Sequence, residues 1–214
     1  MVIGLLAITA IPTTIGVGQA ISAQKKQNAS VSKEQEKFYL VAMFNEAEDD
    51  DDYDDFQDAA TCVLIDGKLY LNLPEHPVVG HKFCGWYFKY PSEEGHLGLV
   101  SMVSNDPPLL NWIYVDKDSH AVTYGGRKDT LGHVIGPWGW SDDERLLSLE
   151  GEDALFVAVK EEHQKDDGTV TARWAVYWDP EGEIEEREGE DRCQEVRLRR
   201  QMQLGMESRY VRDK

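Results

Sequence analysis

Residues 63–73 have the sequence VLIDGKLYLNL, in which two apolar runs flank an Asp-Gly pair. In the second run Leu69 and Leu71 alternate with Tyr70 and Asn72. A period of two places every second side chain on one face of a strand, and Asp-Gly favours the tight turn of a hairpin. The stretch therefore predicts an antiparallel β-hairpin with one buried face.

Similar runs recur from residue 38 to residue 202 and are separated by turn residues. Trp174, Val176 and Trp178, for example, share one face of a run. This pattern predicts an all-β domain over 38–202, built as a single antiparallel barrel or as a two-sheet sandwich of about ten strands. The predicted strands lie near residues 38–44, 61–66, 68–73, 83–90, 97–103, 110–116, 120–124, 145–149, 154–160, 171–178 and 194–202.

The last of these runs predicts a strand with two different faces. Val196, Leu198 and Met202 alternate with Arg197 and Arg199. We expect an apolar inner face and a basic outer face, whose charges compensate acidic loops elsewhere in the domain.

Two acidic runs account for most of the net charge of −18. Residues 46–58 contain nine acids and no base, and residues 181–191 contain seven acids and one base. Blocks of like charge repel, so both runs are predicted to be solvated loops, and the Asp run lacks the spacing and the Gly of an EF-hand calcium loop. The charge also argues against nucleic-acid binding, which needs clustered Lys and Arg.

The amino-terminal residues 1–23 are apolar and carry no charged side chain. An apolar helix of this length could cross a membrane, could be cleaved as a signal peptide, or could pack against the domain. The bases that follow it, such as Lys25 and Lys26, favour membrane association with the soluble domain in the cytoplasm, whereas cleavage would give a secreted protein. Residues 24–37 are predicted to be a polar, helical linker, and residues 203–214 a tail.

Catalytic and metal-binding motifs are missing from the sequence. The three cysteines show no metal-ligand or disulfide spacing, and the six histidines are scattered. No G-x-S-x-G, H-E-x-x-H or phosphate-binding loop is present. We therefore predict no metal site, no cofactor and, in preference to an enzyme, a binding protein.

Aromatic residues on a predicted irregular segment give the best candidate site. Gly-Pro precedes Trp138-Gly139-Trp140, and aromatic rings on loops are suited to stacking on sugars or flat ligands. The alternative is that one of the two tryptophans plugs the end of a barrel. The predicted ligand-binding residues are Trp138, Trp140, Asn111, Tyr124, Arg127 and His133.

The same region resembles a family of small, uncharacterised filamentous-fungal proteins, sometimes labelled arca-like. The resemblance rests on Asp106-Pro107-Pro108, on the run LNWIYVD at 110–116, on Tyr124-Gly125-Gly126-Arg127, on GPWGW at 136–140, and on further runs at 149–151, 175–179 and 195–200. Gly139 departs from the family pattern, in which an acidic residue is usual. The resemblance implies a fungal origin and the bounds of the domain, and it assigns no catalytic residue.

Two functions stay open at this point. The first is a non-catalytic β-domain that binds a small ligand or a protein partner and is tethered to, or exported across, a membrane. The second is a small barrel enzyme that acts on a hydrophobic or sugar-like substrate in fungal metabolism.

Overall fold

The computed structural model describes residues 33–45, 56–164 and 168–203. Contacts divide the chain into two units, Met1–Gln35 and Glu36–Lys214, and every element named below lies in the second unit. Within the described residues the strands are β1 (Phe38–Asn45), β2 (Phe56–Ile65), β3 (Lys68–Asn72), β4 (His81–Lys82), β5 (Gly85–Lys89), β6 (Leu97–Asn105), β7 (Pro108–Val115), β8 (Val122–Gly125), β9 (Trp138–Trp140), β10 (Leu147–Leu149), β11 (Phe156–Gln164), β12 (Val170–Trp178) and β13 (Cys193–Met202). A short helix, α1 (Glu183–Glu188), and a 3₁₀ turn (Glu190–Arg192) precede β13.

The hairpin predicted from VLIDGKLYLNL is present. Strands β2 and β3 pair antiparallel, with Leu64 opposite Leu69. Asp66 and Gly67 both have positive φ, 51° and 82°, as a tight hairpin turn requires of its two central residues. The all-β prediction is confirmed.

Six strands pair in a closed cycle. Antiparallel ladders join β1 to β2, β2 to β3, β3 to β12, β12 to β11, β11 to β13 and β13 back to β1. The ladder between β3 and β12 is the shortest of these six, with Trp174 opposite Leu71 and Ala175 opposite Tyr70. Side-chain contacts across this joint are therefore important for closing the cycle.

Four further strands connect β1 to β3 by a second route. Strand β5 meets β1 where Gly85 lies opposite Phe38, and β5, β6, β7 and β8 then pair in sequence order. Strand β8 reaches β3 where Thr123 lies opposite Lys68. The separate hairpin of β9 and β10 pairs Trp138 with Leu149 and Trp140 with Leu147.

The main hydrophobic core is built from one face of nearly every strand. In β1 the alternate residues Phe38, Leu40 and Ala42 are fully buried, and in β13 Val196 and Leu198 are fully buried. Apolar burial of this kind stabilises a sheet by roughly 1.5–3 kcal/mol per large side chain. The core therefore explains why the period of two extends along the whole domain.

A smaller cluster lies on the opposite face of β2, β3, β11 and β12. It contains Val63, Tyr70, Ala175 and Tyr177, and Ile184 of α1 packs into it. The Ile184 side chain is fully buried. The structure therefore differs here from the loop expected over 181–191, because one apolar residue in the acidic run covers the sheet.

Helix α1 is fixed at its start by Asp179. The Asp179 carboxylate accepts hydrogen bonds from the backbone N–H groups of Glu183 and Ile184, both at 2.9 Å. Three glutamates lie in the first turn, where their negative charge interacts favourably with the positive end of the helix dipole. Gly189, with φ of 91°, ends the helix.

The other acidic run is described only at its end. Residues 56–58 begin β2, and Arg199 of β13 forms an ion pair with Asp58. This agrees with the expectation that the bases of the last strand compensate acidic residues. Residues 46–55 lie outside the described ranges, as do the apolar segment 1–23, most of the linker and almost all of the tail.

Strand β13 differs in one respect from its predicted two-faced pattern. Arg200 lies on the same face as Val196 and Leu198 and is only 6% exposed. A charged residue therefore belongs to the predominantly apolar inner face, and its surroundings are described below.

Among the described residues, no helix has the length and hydropathy needed to cross a membrane.

Candidate ligand-binding site

The Trp138-Gly139-Trp140 segment forms strand β9 and not the irregular segment expected. Trp138 is 2% exposed, and its ring stacks on that of Phe156 with centroids 6.4 Å apart and an angle of 11°. Trp140 is partly buried, with its ring 5.2 Å from that of Tyr87. Trp138 is therefore a core residue.

The guanidinium group of Arg200 lies over the rings of Trp140 and of two other aromatic residues. Its guanidinium carbon lies 4.8 Å from the ring centroid of Phe38, 5.3 Å from that of Tyr87 and 4.9 Å from that of Trp140. One guanidinium nitrogen also donates to the backbone carbonyl of Glu144 at 3.0 Å. Three ring faces thus offset part of the cost of burying this cation.

Tyr87 links the aromatic rings around Arg200 to strand β9. Its hydroxyl donates to the carbonyl of Gly139 at 2.5 Å. Burial raises the pKa of Tyr87 well above its usual value, while the charge of Arg200 acts in the opposite direction. The phenol therefore stays protonated and keeps donating, so that β9 is tied to the sheet.

The remaining predicted residues lie along β7, β8 and the loop that follows. Asn111 in β7 and Tyr124 in β8 are partly buried, and Tyr124 packs against the main core. His133 accepts a hydrogen bond from the backbone N–H of Lys117 at 3.2 Å and lies 3.3 Å from the Asp116 carboxylate.

Asp116 shapes the turn beside His133. Burial alone would raise the pKa of the Asp116 carboxyl, but hydrogen bonds from Ser119 and Asp118 hold it below its usual value. The carboxylate accepts from the Ser119 hydroxyl and backbone N–H, both at 2.8 Å. Asp116 therefore organises this turn, with His133 beside it.

An aromatic surface on the outer face of β5, β6 and β7 was not predicted. Ile113 of β7 belongs to the main core, so by alternation Trp112 faces the other way. The Trp112 ring lies over Gly98 of β6: a Cβ added to Gly98 would be 2.7 Å from Trp112 Cζ3. Glycine at this position lets the indole lie close to the backbone.

Two further rings stand edge-on to this indole. The Tyr90 centroid is 4.9 Å from that of Trp112 at an angle of 72°, and the Phe88 centroid is 6.4 Å away at 62°. Phe88 is 49% exposed. We call Phe88, Tyr90, Gly98 and Trp112 the Trp112 platform.

The loop after β8 borders the Trp112 platform. Gly125, the last residue of β8, lies opposite Trp112. Arg127 is exposed and donates to the carbonyl of Pro91 at 2.9 Å, one residue beyond Tyr90. The Tyr90 hydroxyl in turn hydrogen-bonds the Thr130 hydroxyl at 2.7 Å. Arg127, a predicted site residue, therefore lies beside the platform.

His96 completes the polar border. Its ring stacks on Tyr90 with centroids 5.9 Å apart and an angle of 9°, and its Nδ1 lies 3.5 Å from the Glu94 carboxylate. Aromatic faces bordered by an arginine and a histidine combine stacking with hydrogen-bond donors.

A separate polar cluster surrounds Glu161 of β11. One carboxylate oxygen accepts from Lys68 at 2.8 Å and from Tyr177 at 2.5 Å, and the other accepts from Tyr70 at 3.1 Å. Burial raises the Glu161 pKa, but these donors outweigh it and leave that pKa below its usual value. Burial and the neighbouring Glu161 raise the pKa of Tyr70 and Tyr177.

The Glu161 cluster joins β11 and β12 to β3, across the shortest ladder of the six-strand cycle. All its donors converge on one carboxylate, so it acts chiefly as a staple across this joint. No group of three or more metal-binding side chains occurs among the described residues.

Sequence reasoning missed the Trp112 platform for a definite reason. Trp112 lies in the aromatic-rich part of the sequence, but aromatic residues on a predicted loop are the more usual candidates for stacking. Trp112 precedes the apolar residue Ile113 in a predicted strand, and this alternation indicates that the two side chains lie on opposite faces of the sheet. The role of Gly98 depends on the register of β6 against β7, which no local pattern specifies.

Comparison with known protein families gives a match. A family model described as a fungal beta-trefoil domain matches residues 16–204. Neither the curated proteins nor the solved structures give a match.

Proposed function

This chain belongs to the fungal β-trefoil domain family, and from that premise we propose that it is a non-catalytic module that binds carbohydrate. β-Trefoil domains often act as binding modules for ligands or carbohydrates. Family membership supports the general class of function, and the choice of ligand and surface rests on the arrangement of residues in this chain.

The observation that carries the proposal is the Trp112 ring lying on Gly98 beside the half-exposed Phe88. A sugar ring presents an apolar C–H face and a rim of hydroxyl groups. The C–H face packs on an aromatic ring, and hydroxyls need donors and acceptors close by. Arg127 and His96 are the polar side chains that border these rings.

The rings are held in place before any ligand arrives. The Thr130 hydroxyl donates its one proton to the Arg127 carbonyl at 2.8 Å, so it accepts from the Tyr90 hydroxyl. Asp129 accepts from the backbone N–H of Gly126 at 2.8 Å, which fixes the start of the same loop. Binding to an ordered surface avoids much of the entropy cost of arranging side chains.

Among the predicted residues, we assign ligand contact to Arg127. In this proposal Trp138 and Trp140 stabilise the domain, and Asn111, Tyr124 and His133 support the strands and turn behind the site. We also infer that the six-strand cycle is the wall of a small barrel. The narrower arca-like resemblance, and membrane tethering or export through residues 1–23, are additional proposals that rest on the sequence.

A titration against a panel of glucose-, galactose-, mannose- and N-acetylglucosamine-based oligosaccharides tests the proposal. We expect saturable binding by at least one member. Trp112→Ala should weaken it at least tenfold, equivalent to about 1.4 kcal/mol, and Arg127→Ala should weaken it as well.

The matched control is Trp174→Ala. Like Trp112, Trp174 is a partly buried tryptophan, but it lies in β12, away from the Trp112 platform. The ammonium group of Lys160 lies 5.9 Å from the centroid of the Trp174 ring. The replacement of Trp174 should leave binding unchanged. The proposal is wrong if no member of the panel binds, or if Trp112→Ala and Trp174→Ala affect binding equally.

A further inference from the structure

A cavity of about 340 Å³ lies on another part of the domain. It is lined by residues 75–79, which follow β3, and by Thr171, Ala172 and Arg173 of β12. Its volume is at the lower end of the range for ligand pockets, about 300–1,000 Å³. No residue of the Trp112 platform lines it.

Residues 75–79, which form part of the cavity lining, are fixed by hydrogen bonds to β3 and the residue that follows it. The backbone N–H of Val78 donates to the Asn72 side chain at 3.0 Å, and that of His76 donates to the Leu73 carbonyl at 3.2 Å. Val78 is 5% exposed, whereas Val79 is 91% exposed at the rim. The cavity therefore has a fixed wall and an apolar rim open to solvent.

The part of the lining that belongs to β12 carries a guanidinium held by Asp66. Arg173 donates to Asp66 at 2.8 Å, and its guanidinium carbon is 5.7 Å from the ring centroid of Tyr70. The Arg173 side chain is 16% exposed. A guanidinium has five N–H donors in a planar fork, so the contact with Asp66 leaves others to bind a carboxylate.

Charges of both signs line this one cavity. Glu75, on the segment over the cavity, offers a carboxylate, and Arg173, on β12, offers donors only. A ligand with a carboxylate alone is matched to Arg173 but repelled by Glu75. A ligand with an ammonium alone has the reverse mismatch.

We propose that this cavity binds a small zwitterion of the α-amino-acid type. Its carboxylate pairs with Arg173, its ammonium pairs with Glu75, and an aliphatic side chain packs on Pro77, Val78 and Val79. Hydrogen bonds between charged groups are roughly twice as strong as neutral ones, which favours this class over a neutral sugar in the same space. The inference is independent of carbohydrate binding at the Trp112 platform.

Calorimetric titration of the full chain with leucine and three related probes tests the inference. Leucinamide lacks the carboxylate, 4-methylpentanoate lacks the ammonium, and glucose is neutral. We expect leucine to bind and each of the other three to bind at least tenfold more weakly. Glu75→Gln, at an exposed position, should weaken leucine binding at least tenfold without affecting folding, and Arg173→Gln should do the same to binding.

The matched control is Glu93→Gln, which replaces an exposed glutamate that does not line the cavity. It should bind leucine as the unaltered chain does, and so should Trp112→Ala. The inference is overturned if leucine shows no saturable binding up to millimolar concentration, if 4-methylpentanoate or glucose binds as well as leucine, or if Glu75→Gln and Glu93→Gln bind leucine equally.

Discussion

Replacing Trp138 with alanine should destabilise the domain by about 3–5 kcal/mol, the usual cost of removing a large aromatic side chain from a core. Trp138 is 2% exposed, and its ring stacks on Phe156. The ring centroid of Phe156 in turn lies 4.8 Å from that of Trp178. The Trp138 indole therefore supports a row of aromatic rings that joins β9, β11 and β12.

The magnitude follows from the buried area. A tryptophan side chain buries roughly 150–250 Å², which at ~25 cal/mol per Å² corresponds to about 4–6 kcal/mol as an upper value. For a domain of this size each kcal/mol lowers Tm by about 2–4 °C, so Tm should fall by roughly 6–20 °C.

Trp140→Ala provides the matched comparison. Trp140 is only partly buried, and Arg200 would keep the rings of Phe38 and Tyr87. The expected cost is therefore smaller, roughly 1–3 kcal/mol.

Urea denaturation followed by far-UV circular dichroism measures both variants, because removing a tryptophan would confound a fluorescence signal. The reasoning predicts a larger loss for Trp138→Ala than for Trp140→Ala. It is refuted if Trp138→Ala costs less than about 1 kcal/mol, the typical cost of a point mutation at any position.

Three other perturbations follow from the same structure. Because the Glu161 pKa is lowered in the folded state, its contribution to stability is present above its usual pKa of 4.5 and is lost as the pH falls through the lower folded value; Glu161→Gln should therefore flatten the acid side of a stability–pH curve, and an unchanged acid slope would contradict the staple role. Asp179→Ala leaves two N–H groups of α1 without their acceptor and should cost about 0.5–2 kcal/mol in chemical denaturation, whereas Asp118→Ala, at an exposed position, should cost little. Deleting residues 194–214 removes a strand that pairs with both β1 and β11 and should abolish cooperative thermal unfolding, so that a truncated chain melting as sharply as the full one would disprove the closed cycle.

The strands could be predicted because their cause is local. Alternation in residues 69–72 and 173–178 predicted the strands, although the second face is buried there as well, by the smaller cluster that contains Tyr70 and Tyr177. Asp66-Gly67 has the conformational freedom that the hairpin turn needs. The apolar positions of β13 were likewise predicted. These features depend on neighbouring residues, which sequence shows directly.

Other features depend on residues far apart in the chain. Arg200 is tolerated on the inner face because the rings of Phe38, Tyr87 and Trp140 meet around it. Helix α1 forms in an acidic run because Ile184 finds an apolar surface on the sheet. No composition rule indicates either partner in advance.

The candidate site shows the same division. Arg127 could be selected from the sequence as a polar residue near aromatic residues. The proposed stacking surface could not be selected in this way, because the closeness of Trp112 to Gly98 depends on strand register. Local chemistry suggested a class of ligand, and the tertiary arrangement selected the surface.

The central claim, that carbohydrate stacks on Trp112, is tested most directly by NMR of the indole N–H signals during titration with the tightest-binding oligosaccharide of the panel. Trp112→Phe assigns the Trp112 signal, and buried Trp138 is the internal control. The account predicts a saturable shift of the Trp112 signal with the Trp138 signal unchanged. A saturable titration in which the Trp112 signal does not move would contradict it.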